Sequence, residues 1–405
     1  MKKVIVVGGG AAGFFAAINI KEKCPKIEVV ILEKTKKILQ KVKVSGGGRC
    51  NVTNGRSAVG ELIKFYPRGG KKLYKLLEHF GTMEMQEWLK LHGVPTSTED
   101  DLRVFPSSNT SQTIIDCFVG TAKKLGVKVE LDSPLSSLKR EGNKWLVTCP
   151  DKMHEADAIV IATGSSAGFM KKLDHLNLKI NEGVPSLFTF HMDDSRIRGL
   201  QGISFSDVSL KVSGTKLAEN GPMLITHWGL SGPAVLKLSA WGARELATKN
   251  YQFTLIINYL SMSEEECRIG LKEMAATYPK KKLVNYAFNT LPKRFWIQLV
   301  ELLGLQDKTY GELGKQALNK LSEELTQAHF TVTGKSAFKE EFVTCGGVDL
   351  SEVDLATLQS KRHVGLFFSG EILDIDALTG GFNFQACWSA SWAISAYFKN
   401  EFNLK

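Results

Sequence analysis

The N-terminal segment KKVIVVGGGAAGFFAAINI places a glycine-rich turn between a β-branched run and an apolar helical pattern. The turn, Gly8-Gly9-Gly10-Ala11-Ala12-Gly13, is G-x-G-x-x-G, and the next predicted strand, Glu28–Leu32, ends at Glu33, 20 residues after Gly13. In a β-α-β unit these glycines let the backbone approach a pyrophosphate at a helix N-terminus, and the acid accepts a ribose hydroxyl. The spacing therefore predicts a dinucleotide site rather than a tight turn without a ligand.

The remaining periodicity predicts a discontinuous α/β chain of 405 residues. Helical patterns at 58–95 and 113–125 are followed by strands at 127–131, in KWLVTCP and in ADAIVIATG. From about residue 187 the pattern becomes that of antiparallel strands, and residues 263–328 become helical. A strand at 328–333 and a final strand, loop and helix follow. We expect an α/β nucleotide domain, an inserted β-plus-helical region, and a return to the first domain.

Two later segments favour FAD over a simple nicotinamide site. The predicted strands 156–164 and 365–374 would both end beside the dinucleotide, and the second carries Gly370, Glu371 and Asp374. We expect Asp374 to accept from a ribityl hydroxyl. A helix after 380–383 would direct its N-terminus at the flavin pyrimidine edge, stabilising negative charge on the reduced ring. The alternative for this segment is a glycine-rich turn before a core helix.

The stretch VSGGGRCNVTN follows the β-α-β unit closely enough to lie along the cofactor. Its three glycines allow close backbone approach to a flat ring or a phosphate. We expect Arg49 to supply positive charge, and Asn51 and Thr53 to donate and accept hydrogen bonds. Cys50 is either a redox or nucleophilic thiol or a cysteine packed beside the cofactor, and the second interpretation is favoured.

These motifs together resemble the HI0933-like (BaiN-like) family of FAD-dependent oxidoreductases. The resemblance rests on GGGAAG, SGGGRCNVTN, THWGLSGPAVLKLS, VTCGGV and GLFFSGEILDIDALTGGFNFQACWSA, and it spans essentially the whole chain. The chain departs from the family pattern before the glycine triplet. There the usual Gly-Arg-Lys is replaced by Leu39-Gln40-Lys41, so that only the lysine is retained.

The resemblance implies a Rossmann-like FAD-binding domain of the glutathione-reductase type, a parallel sheet with a β-meander, interrupted by a β-barrel-like and helical insertion. The predicted FAD-binding domain comprises residues 1–188 and 339–405. The predicted insertion comprises 189–338, β-rich at 189–262 and 329–338 and helical at 263–328.

The resemblance also implies which residues contact FAD: Gly8, Gly10, Gly13, Glu33, Lys34, Arg49, Cys50, Asn51, Thr53, Thr163, Gly164, Gly370, Asp374, Gly381, Phe382 and Asn383. We add further candidate contacts with the cofactor: Ala12, Lys41, Ser45, Gly47, Gly48, Val129, Ala162, Glu371 and Gly380.

The predicted insertion contains GPMLITHWGLSGPAVL, in which His227 precedes Trp228. A histidine beside an indole is a candidate acid or substrate clamp, so His227 is one candidate catalytic residue. The alternative for this segment is a structural turn. Cys50, in the glycine-rich stretch described above, is the other candidate catalytic residue. No second G-x-G-x-x-G follows ADAIVIATG, so we expect NAD(P)H to approach the flavin directly rather than through a domain of its own.

The formal net charge of +10 fits a polyanionic partner or an incidental lysine-rich surface. Two basic stretches with interleaved aromatic residues, 64–75 and 278–296, make ribosomal RNA a candidate partner, the alternative being solvated helix faces. Seven scattered cysteines without a C-x-x-C pair indicate a reducing cytoplasm and no metal site. No predicted segment has the composition of a membrane span.

The sequence thus predicts an FAD enzyme in which NAD(P)H reduces the flavin and N5 passes hydride to an acceptor double bond. Members of the resembled family are associated with forming dihydrouridine in ribosomal RNA and with small steroid-like substrates. A uridine of ribosomal RNA is the acceptor we favour, and a small apolar metabolite is the alternative. A third interpretation is a non-catalytic, flavin-bound RNA-binding or assembly factor.

Overall fold

The computed structural model describes residues 2–336 and 343–403 and divides into two compact units. The first is formed by Met1–Gly183 and Thr344–Lys405 and the second by Val184–Val343. The domain bounds expected above, 1–188 with 339–405 and 189–338, stay a prediction, and their second boundary lies outside the described residues. Within the described ranges no helix combines the length and apolar composition needed to cross a membrane.

The first unit is built on a five-stranded sheet whose strand pairs are all parallel. Parallel sheets are covered on both faces, which explains why Val4–Val7 and Val29–Leu32 are buried without interruption. The predicted parallel Rossmann-like sheet is confirmed. Its strands, in spatial order, are Leu366–Phe368, Ala158–Ile161, Lys3–Val7, Glu28–Leu32 and Lys128–Glu130.

Two long helices form the core of this unit beside the sheet. The helix Ala11–Lys23 is buried along Ala12–Ile20 and packs against the C-terminal helix Phe382–Asn403. The hydroxyl of Ser391 on the C-terminal helix donates to the Ala12 carbonyl at 2.9 Å. This contact holds the last helix against the start of the first, although nearly the whole chain separates them.

Two small antiparallel sheets complete the first unit. The predicted β-meander is confirmed as Ser137–Glu141, Lys144–Cys149 and Lys152–Ala156. A second sheet of Thr53–Asn54, Arg103–Pro106 and Thr96–Thr98 was not predicted, because its strands are too short to show periodicity. The remaining helices of the unit, including short 3-10 turns, are Gln40–Val44, Ser45–Gly48, Val59–Leu62, Ile63–Phe65, Gly70–His79, Thr82–Leu91, Ser111–Lys124, Ala167–Met170 and Lys171–Leu176.

Two strands are shorter than predicted. The strand predicted over 156–164 covers only Ala158–Ile161, and the strand predicted over 365–374 only Leu366–Phe368. Gly164 and Gly370 have φ of +69° and +80°, values that do not occur in a regular strand. A further two-stranded sheet, Ile180–Ser186 with Val343–Val348, carries the chain out of the first unit and back.

The second unit contains a seven-stranded sheet, and its paired strands are antiparallel. The first and last strands in the spatial order follow each other directly in the chain, which gives the sheet a barrel-like course. Burial alternates along Ala328–Val332, as expected when one face covers a core. The order is Ala328–Val332, Phe253–Asn258, Ser204–Val212, Ala218–Thr226, Gly229–Ser231, Phe190–His191 and Gly334–Lys335.

The helical part of the second unit packs on an aromatic core that includes Phe205, Tyr259, Phe295 and Trp296. The strand Ala218–Thr226 and the two helices that follow Gly232 were not predicted. The helices, with two 3-10 turns, are Pro233–Trp241, Ala243–Thr248, Glu264–Thr277, Leu283–Asn285, Lys293–Leu302, Tyr310–Glu312 and Lys315–Thr326. The predicted β-plus-helical insertion in an α/β fold is therefore confirmed.

Candidate cofactor-binding site

The N-terminal glycine turn lies at the carboxyl end of the central strands. Gly8 has a φ of +116°, and a Cβ there would collide with the Ala162 carbonyl. A Cβ on Gly13 would collide with the Gly8 carbonyl, so the helix packs directly on the loop. Both positions therefore require glycine for close packing within the protein.

Gly10 differs because nothing lies within 4 Å of the position its Cβ would occupy. It is the N-cap of the helix Ala11–Lys23, and Ala12 in the first turn is buried. A helix N-terminus carries unpaired N–H groups and a partial positive charge, which favour an anion. The open side of Gly10 is thus the part of the loop that can accommodate a pyrophosphate.

Glu33 directly follows the strand Glu28–Leu32 and faces the N-terminal glycine turn. Its Oε2 accepts from the Gly9 N–H at 2.9 Å, and its Oε1 accepts from the Thr35 N–H at 3.0 Å. Lys34 beside it is exposed. Val129 lies on the neighbouring parallel strand, opposite Ile31, and is 37% exposed. An adenosine placed at this edge would meet a fixed carboxylate and an exposed apolar side chain.

The strand Ala158–Ile161 ends at a second turn on the same edge of the sheet. The Ala162 N–H donates to the Val7 carbonyl at 2.8 Å, and Ala162 is buried. Thr163 is half-buried, and its hydroxyl donates to the Gly164 carbonyl at 3.3 Å. The structure therefore brings this predicted segment next to the first glycine turn.

The glycine triplet forms a tight left-handed turn, with φ of +58°, +68° and +84° at Gly46, Gly47 and Gly48. A Cβ on Gly46 would come within 2.8 Å of the Asn51 nitrogen, whereas nothing lies within 4 Å of the corresponding positions at Gly47 and Gly48. Ser45 begins the turn, its hydroxyl donating to the Val42 carbonyl at 2.9 Å. Gly46 is therefore needed for packing, while Gly47 and Gly48 border open space.

Arg49, expected from the sequence to supply positive charge, is paired with a carboxylate. Its Nη1 lies 2.7 Å from Glu99 Oε1, and its guanidinium lies over the Phe105 ring at 4.0 Å from the centroid. Glu99 therefore offsets the positive charge, and Phe105 fixes the plane of the guanidinium. The sequence could not reveal this, because the partner carboxylate comes from a hairpin 50 residues further along the chain.

Cys50 is fully buried and has a φ of +62°, which is unusual for a residue with a side chain. Burial raises the pKa of its thiol to about 12, although a hydrogen bond to Ser45 acts in the opposite direction. The thiol therefore keeps its proton at neutral pH. These features support the packed-cysteine interpretation over a reactive thiolate.

Asn51 and Thr53 connect the glycine triplet to the C-terminal segment. With its amide oriented to satisfy both atoms, Asn51 donates to the Thr53 carbonyl at 2.9 Å and accepts from the Gly381 N–H at 3.0 Å. The buried Thr53 hydroxyl donates to Gln385 Oε1 at 2.6 Å. A Cβ on Gly381 would collide with Thr53 backbone atoms. The two motifs thus form one hydrogen-bonded structure.

The segment after Leu366–Phe368 places two acidic residues at the site. Glu371 forms an ion pair with Lys41 and lies beside Gly164. Asp374 is buried, and its Oδ2 accepts from Asn181 Nδ2 at 2.7 Å. Gly370 packs closely on Ala12 and Cys387, where a Cβ would lie 3.0 Å from Ala12 Cβ and 3.1 Å from Cys387 Sγ.

The start of the C-terminal helix is held by its own side chains. Asn383 accepts from the Ala377 N–H at 2.9 Å and donates to the Ala377 carbonyl at 3.0 Å. Its amide therefore fixes the preceding loop, and its backbone remains the part that can face a ligand. Phe382 is buried, and its ring stacks on Phe65 at 4.4 Å. Gly380, with a φ of +127°, completes the turn.

Sequence reasoning missed several residues that hold this region together. Tyr66 donates to the Phe382 carbonyl at 2.7 Å, and Asn54 donates to the Gly380 carbonyl at 2.9 Å. Arg56 Nη1 donates to Asn54 Oδ1 at 3.0 Å. Gln385 contributes two further contacts, to Phe80 and Ser389. Of these residues, only Gln385 could have been identified from the sequence, because a glutamine in an apolar helix requires polar partners.

His227 lies in the second unit, where it forms a two-residue turn with Trp228. The turn joins Ala218–Thr226 to Gly229–Ser231, and Thr226 pairs with Gly229 across it. His227 is exposed, and a Cβ on Gly229 would collide with the Phe190 carbonyl. The glycine of this motif is explained by strand packing, while the histidine side chain is left in solvent.

The predicted contacts of the first unit thus meet at the carboxyl edge of one parallel sheet. The open sides of Gly10, Gly47 and Gly48, the helix N-termini and the fixed carboxylates fit a long dinucleotide with a flat ring. Within the described part of the chain, no group of three or more His, Cys, Asp or Glu side chains is placed to hold a metal. The residues present therefore fit FAD.

Comparisons with known proteins agree with this assignment. The family model described as HI0933-like protein Rossmann domain matches residues 2–397. The chain is 28% identical over 404 residues to the ribosomal RNA dihydrouridine synthase of Escherichia coli (strain K12), covering 96% of each protein. It is 24% identical to the 3-dehydro-bile acid delta(4,6)-reductase of Clostridium scindens, over 97% of this chain and 98% of that protein.

A solved structure shows that the fold is shared more widely. The 3-ketosteroid delta1-dehydrogenase of Sterolibacterium denitrificans superposes with a TM-score of 0.53 at 10% identity, covering 99% of this chain and 100% of the other. At that identity the likeness concerns the fold alone. It agrees with the Rossmann-like architecture expected from the sequence.

Proposed function

Because the chain belongs to the HI0933-like family of FAD-dependent oxidoreductases, we propose that it uses NAD(P)H to reduce a uridine of ribosomal RNA to dihydrouridine. The observation that carries the proposal is full-length similarity to a ribosomal RNA dihydrouridine synthase. The second support is the cofactor cradle, by which we mean the N-terminal glycine turn, the glycine triplet and the start of the C-terminal helix, and which fits FAD. A net charge of +10 suits a polyanionic substrate.

In this proposal the protein residues bind and orient the cofactor, and FAD supplies the hydride-transfer chemistry when it is bound. Glu33, Lys34 and Val129 would hold the adenosine end. The glycine turn from Gly8 and the N-terminus of the first helix would hold the pyrophosphate. Glu371, paired with Lys41, and Asp374, held by Asn181, would accept ribityl hydroxyls.

The ring end of the cofactor would lie between Gly47 and Gly48 on one side and Gly380, Gly381 and Phe382 on the other. The N-terminus of the helix Phe382–Asn403 supplies N–H groups and a partial positive charge, which stabilise an anionic ring. The hydrogen bond from Gly381 to Asn51 holds this helix start against the triplet. The remaining predicted contacts at Ala12, Ser45, Arg49, Cys50, Thr53, Ala162, Thr163, Gly164, Gly370 and Asn383 stay in the proposal as backbone or packing contacts.

We propose that the proton for the second carbon of the double bond comes from a group other than Cys50, because burial raises the pKa of that thiol to about 12 and makes it a weak acid. His227 is the remaining candidate, since its imidazole is exposed and histidine is the side chain most often used for proton transfer. The proposal assigns no second nucleotide domain to NAD(P)H, which would meet the flavin directly.

A small apolar acceptor is the second candidate, and one relative supports it. The Clostridium scindens protein carries the name of a bile acid reductase and matches nearly the whole chain. Both acceptors offer an activated carbon–carbon double bond, so the cofactor cradle does not separate them. Membership of an oxidoreductase family favours either enzyme over a non-catalytic RNA-binding factor.

The two half-reactions test the proposal separately. Oxygen-free protein is mixed with NADPH or NADH while the visible flavin absorbance is followed, and we expect bleaching by one of the two. The reduced protein is then mixed with ribosomal RNA lacking dihydrouridine, or with a 3-oxo-Δ4 steroid. Reoxidation by RNA alone supports the proposal, and reoxidation by the steroid alone replaces it with the second candidate.

The same assay tests His227. In His227→Ala we expect flavin reduction to keep its rate and reoxidation by the acceptor to slow about 100-fold or more, the low end of a typical general-acid contribution. Full-rate reoxidation with FAD bound would remove His227 from the mechanism.

A further inference from the structure

Two tyrosines form an exposed aromatic pair in the helical part of the second unit. Tyr278 and Tyr286 are 37% and 39% exposed, and their ring centroids lie 5.1 Å apart at an interplanar angle of 43°. The tyrosine pair is unlike the other aromatic residues of the stretch 278–296, since Phe288, Phe295 and Trp296 are buried. It is the part of that stretch that can meet a partner.

The loop that carries the tyrosine pair is held in place by its neighbours. The Gly311 N–H donates to the Pro279 carbonyl, and the Tyr310 N–H donates to the Lys281 carbonyl, both at 3.0 Å. The fully buried Tyr310 donates its hydroxyl to the Tyr286 carbonyl at 2.8 Å. The exposed side chains therefore project from a fixed backbone, which lowers the entropy lost on binding.

Positive charge surrounds the tyrosine pair. Lys280, Lys281 and Lys282 are exposed between the two tyrosines in the chain, and Lys308 lies beside them through its carbonyl bond to the Leu283 N–H. Two carboxylates are near: Asp307 lies 4.0 Å from Lys282, and Glu312 accepts from the Thr309 N–H at 2.7 Å. Four lysines against two acids leave a net positive surface.

The basic surface continues along an open groove between the helices Glu264–Thr277 and Lys315–Thr326. Arg268, Lys272 and Lys315 line the groove with Glu265, Leu318 and Asn319. Glu265 pairs with Arg268, so Lys272 and Lys315 are the charges left for a ligand. The helix Glu264–Thr277 is followed directly by Tyr278 as its C-cap, and the groove therefore leads toward the tyrosine pair.

The other basic stretch lacks this combination. In 64–75, Phe65 stacks on Phe382 and Tyr66 is buried. Arg68 forms an ion pair with the buried Asp376. Beside its lysines, that stretch exposes a single aromatic side chain, Tyr74, rather than a pair.

We propose that the tyrosine pair, the lysines 280–282 and 308, and the groove lysines 272 and 315 together bind unpaired RNA. A base splayed out of its stack would lie on a tyrosine ring, and the lysines would contact phosphates. This proposal rests on the proposed function, since it supplies the contact surface for an RNA substrate. An acidic protein would use the lysines but would not need the aromatic faces.

Binding of a labelled single-stranded RNA, followed by fluorescence anisotropy at several KCl concentrations, tests the proposal on the full-length FAD-bound protein. One variant carries Lys280→Gln, Lys281→Gln and Lys282→Gln. Its control carries Lys71→Gln, Lys72→Gln and Lys75→Gln, which removes the same charge from exposed positions of the other stretch. We expect at least tenfold weaker binding for the first variant, with a salt slope reduced by about 2, and less than a twofold change for the control.

A second pair of variants tests the aromatic contact. Tyr278→Ala with Tyr286→Ala should weaken binding at least tenfold without changing the salt slope, and Tyr278→Phe with Tyr286→Phe should restore it. Equal losses in the two lysine variants, or unchanged binding in the double alanine variant, would overturn the surface assignment. If those variants still form dihydrouridine at the wild-type rate, the surface is wrong while the proposed function stands. If the wild-type protein neither binds nor reduces RNA, the proposed function itself fails.

Discussion

At the scale of single residues, the three consecutive glycines share a left-handed backbone conformation but differ in what surrounds them. All three have left-handed φ, but only at Gly46 would an added Cβ meet protein atoms. Gly47 and Gly48 face open space. If the ring of FAD binds as proposed, a side chain at Gly47 would therefore meet the cofactor rather than the protein.

Gly47→Ala should separate backbone strain from cofactor contact when compared with Gly93→Ala. Gly93 has a φ of +79° and nothing within 4 Å of its Cβ position, and it lies outside the cofactor cradle. Both variants should lose about 1–2 kcal/mol of unfolding free energy from left-handed strain. Only Gly47→Ala should also weaken FAD binding, by tenfold or more, in a fluorescence titration of FAD-depleted protein. Equal FAD affinity in the two variants would place the ring elsewhere.

Cys50→Ser tests the assignment of the buried thiol. We expect flavin reduction by NAD(P)H and acceptor turnover to stay within about threefold of wild type, because a buried thiol with a pKa of about 12 is neither a thiolate nucleophile nor an effective acid at neutral pH. Cys24→Ser, at another buried cysteine, is the matched control for stability. A loss of turnover in Cys50→Ser alone, with FAD bound at full occupancy, would restore Cys50 as a catalytic residue.

Some residue-scale features could be predicted from the sequence and others could not. The glycine turn and Glu33 follow from local spacing, because their geometry is set within one β-α-β unit. The ion pairs of Arg49 with Glu99 and of Arg68 with Asp376 join segments far apart in the chain. No local pattern signals such partners, so Arg49 was predicted to supply positive charge without a partner carboxylate being foreseen.

At the scale of elements, strands buried on both faces were predicted well, because β-branched residues fill them without interruption. Glu28–Leu32 has the predicted ends. The strand predicted over 365–374 ends at Phe368, since the hydrophobic pattern continues through a turn at Gly370. The hairpin of Thr96–Thr98 and Arg103–Pro106 was missed because its short strands become visible only through their pairing.

One contact between elements makes stability depend on pH. His92, after the helix Thr82–Leu91, bonds Glu22 of the first helix at 2.9 Å through Nε2 and the Trp88 carbonyl at 2.7 Å through Nδ1. Burial alone would lower the pKa of His92, but the bonds to Glu22 and the Trp88 carbonyl raise it above its ordinary value. A raised pKa in the folded state stabilises the protein at low pH, and this stabilisation is lost as pH rises through the folded pKa.

His92→Gln should therefore lose about 1 kcal/mol of unfolding free energy near pH 5.5 and less near pH 9. Glu22→Gln should remove the same pH dependence, because it deletes the other partner of the ion pair. Urea unfolding of the three proteins across this range measures the effect. A difference between wild type and His92→Gln that grows with pH would contradict the assignment.

At the scale of the whole molecule, two units are formed from a chain that leaves the first and returns to it. Composition changes near residue 187 indicated this organisation. The spatial order of the seven-stranded sheet could not be read from the sequence, since it pairs Phe253–Asn258 with both Ser204–Val212 and Ala328–Val332. Likewise, the net charge of +10 could not show where the charge lies. The structure separates exposed lysines near an exposed aromatic pair from lysines on a helix that exposes a single aromatic side chain, Tyr74.

The central claim, reduction of a uridine in RNA, is tested most directly by the product. Purified protein is incubated with NADPH and ribosomal RNA that lacks the modification, the RNA is digested, and dihydrouridine is measured by mass spectrometry. We expect a rise in dihydrouridine that requires both the protein and NADPH. No rise, while NADPH still reduces the bound flavin, would contradict the RNA assignment and leave a small-molecule acceptor.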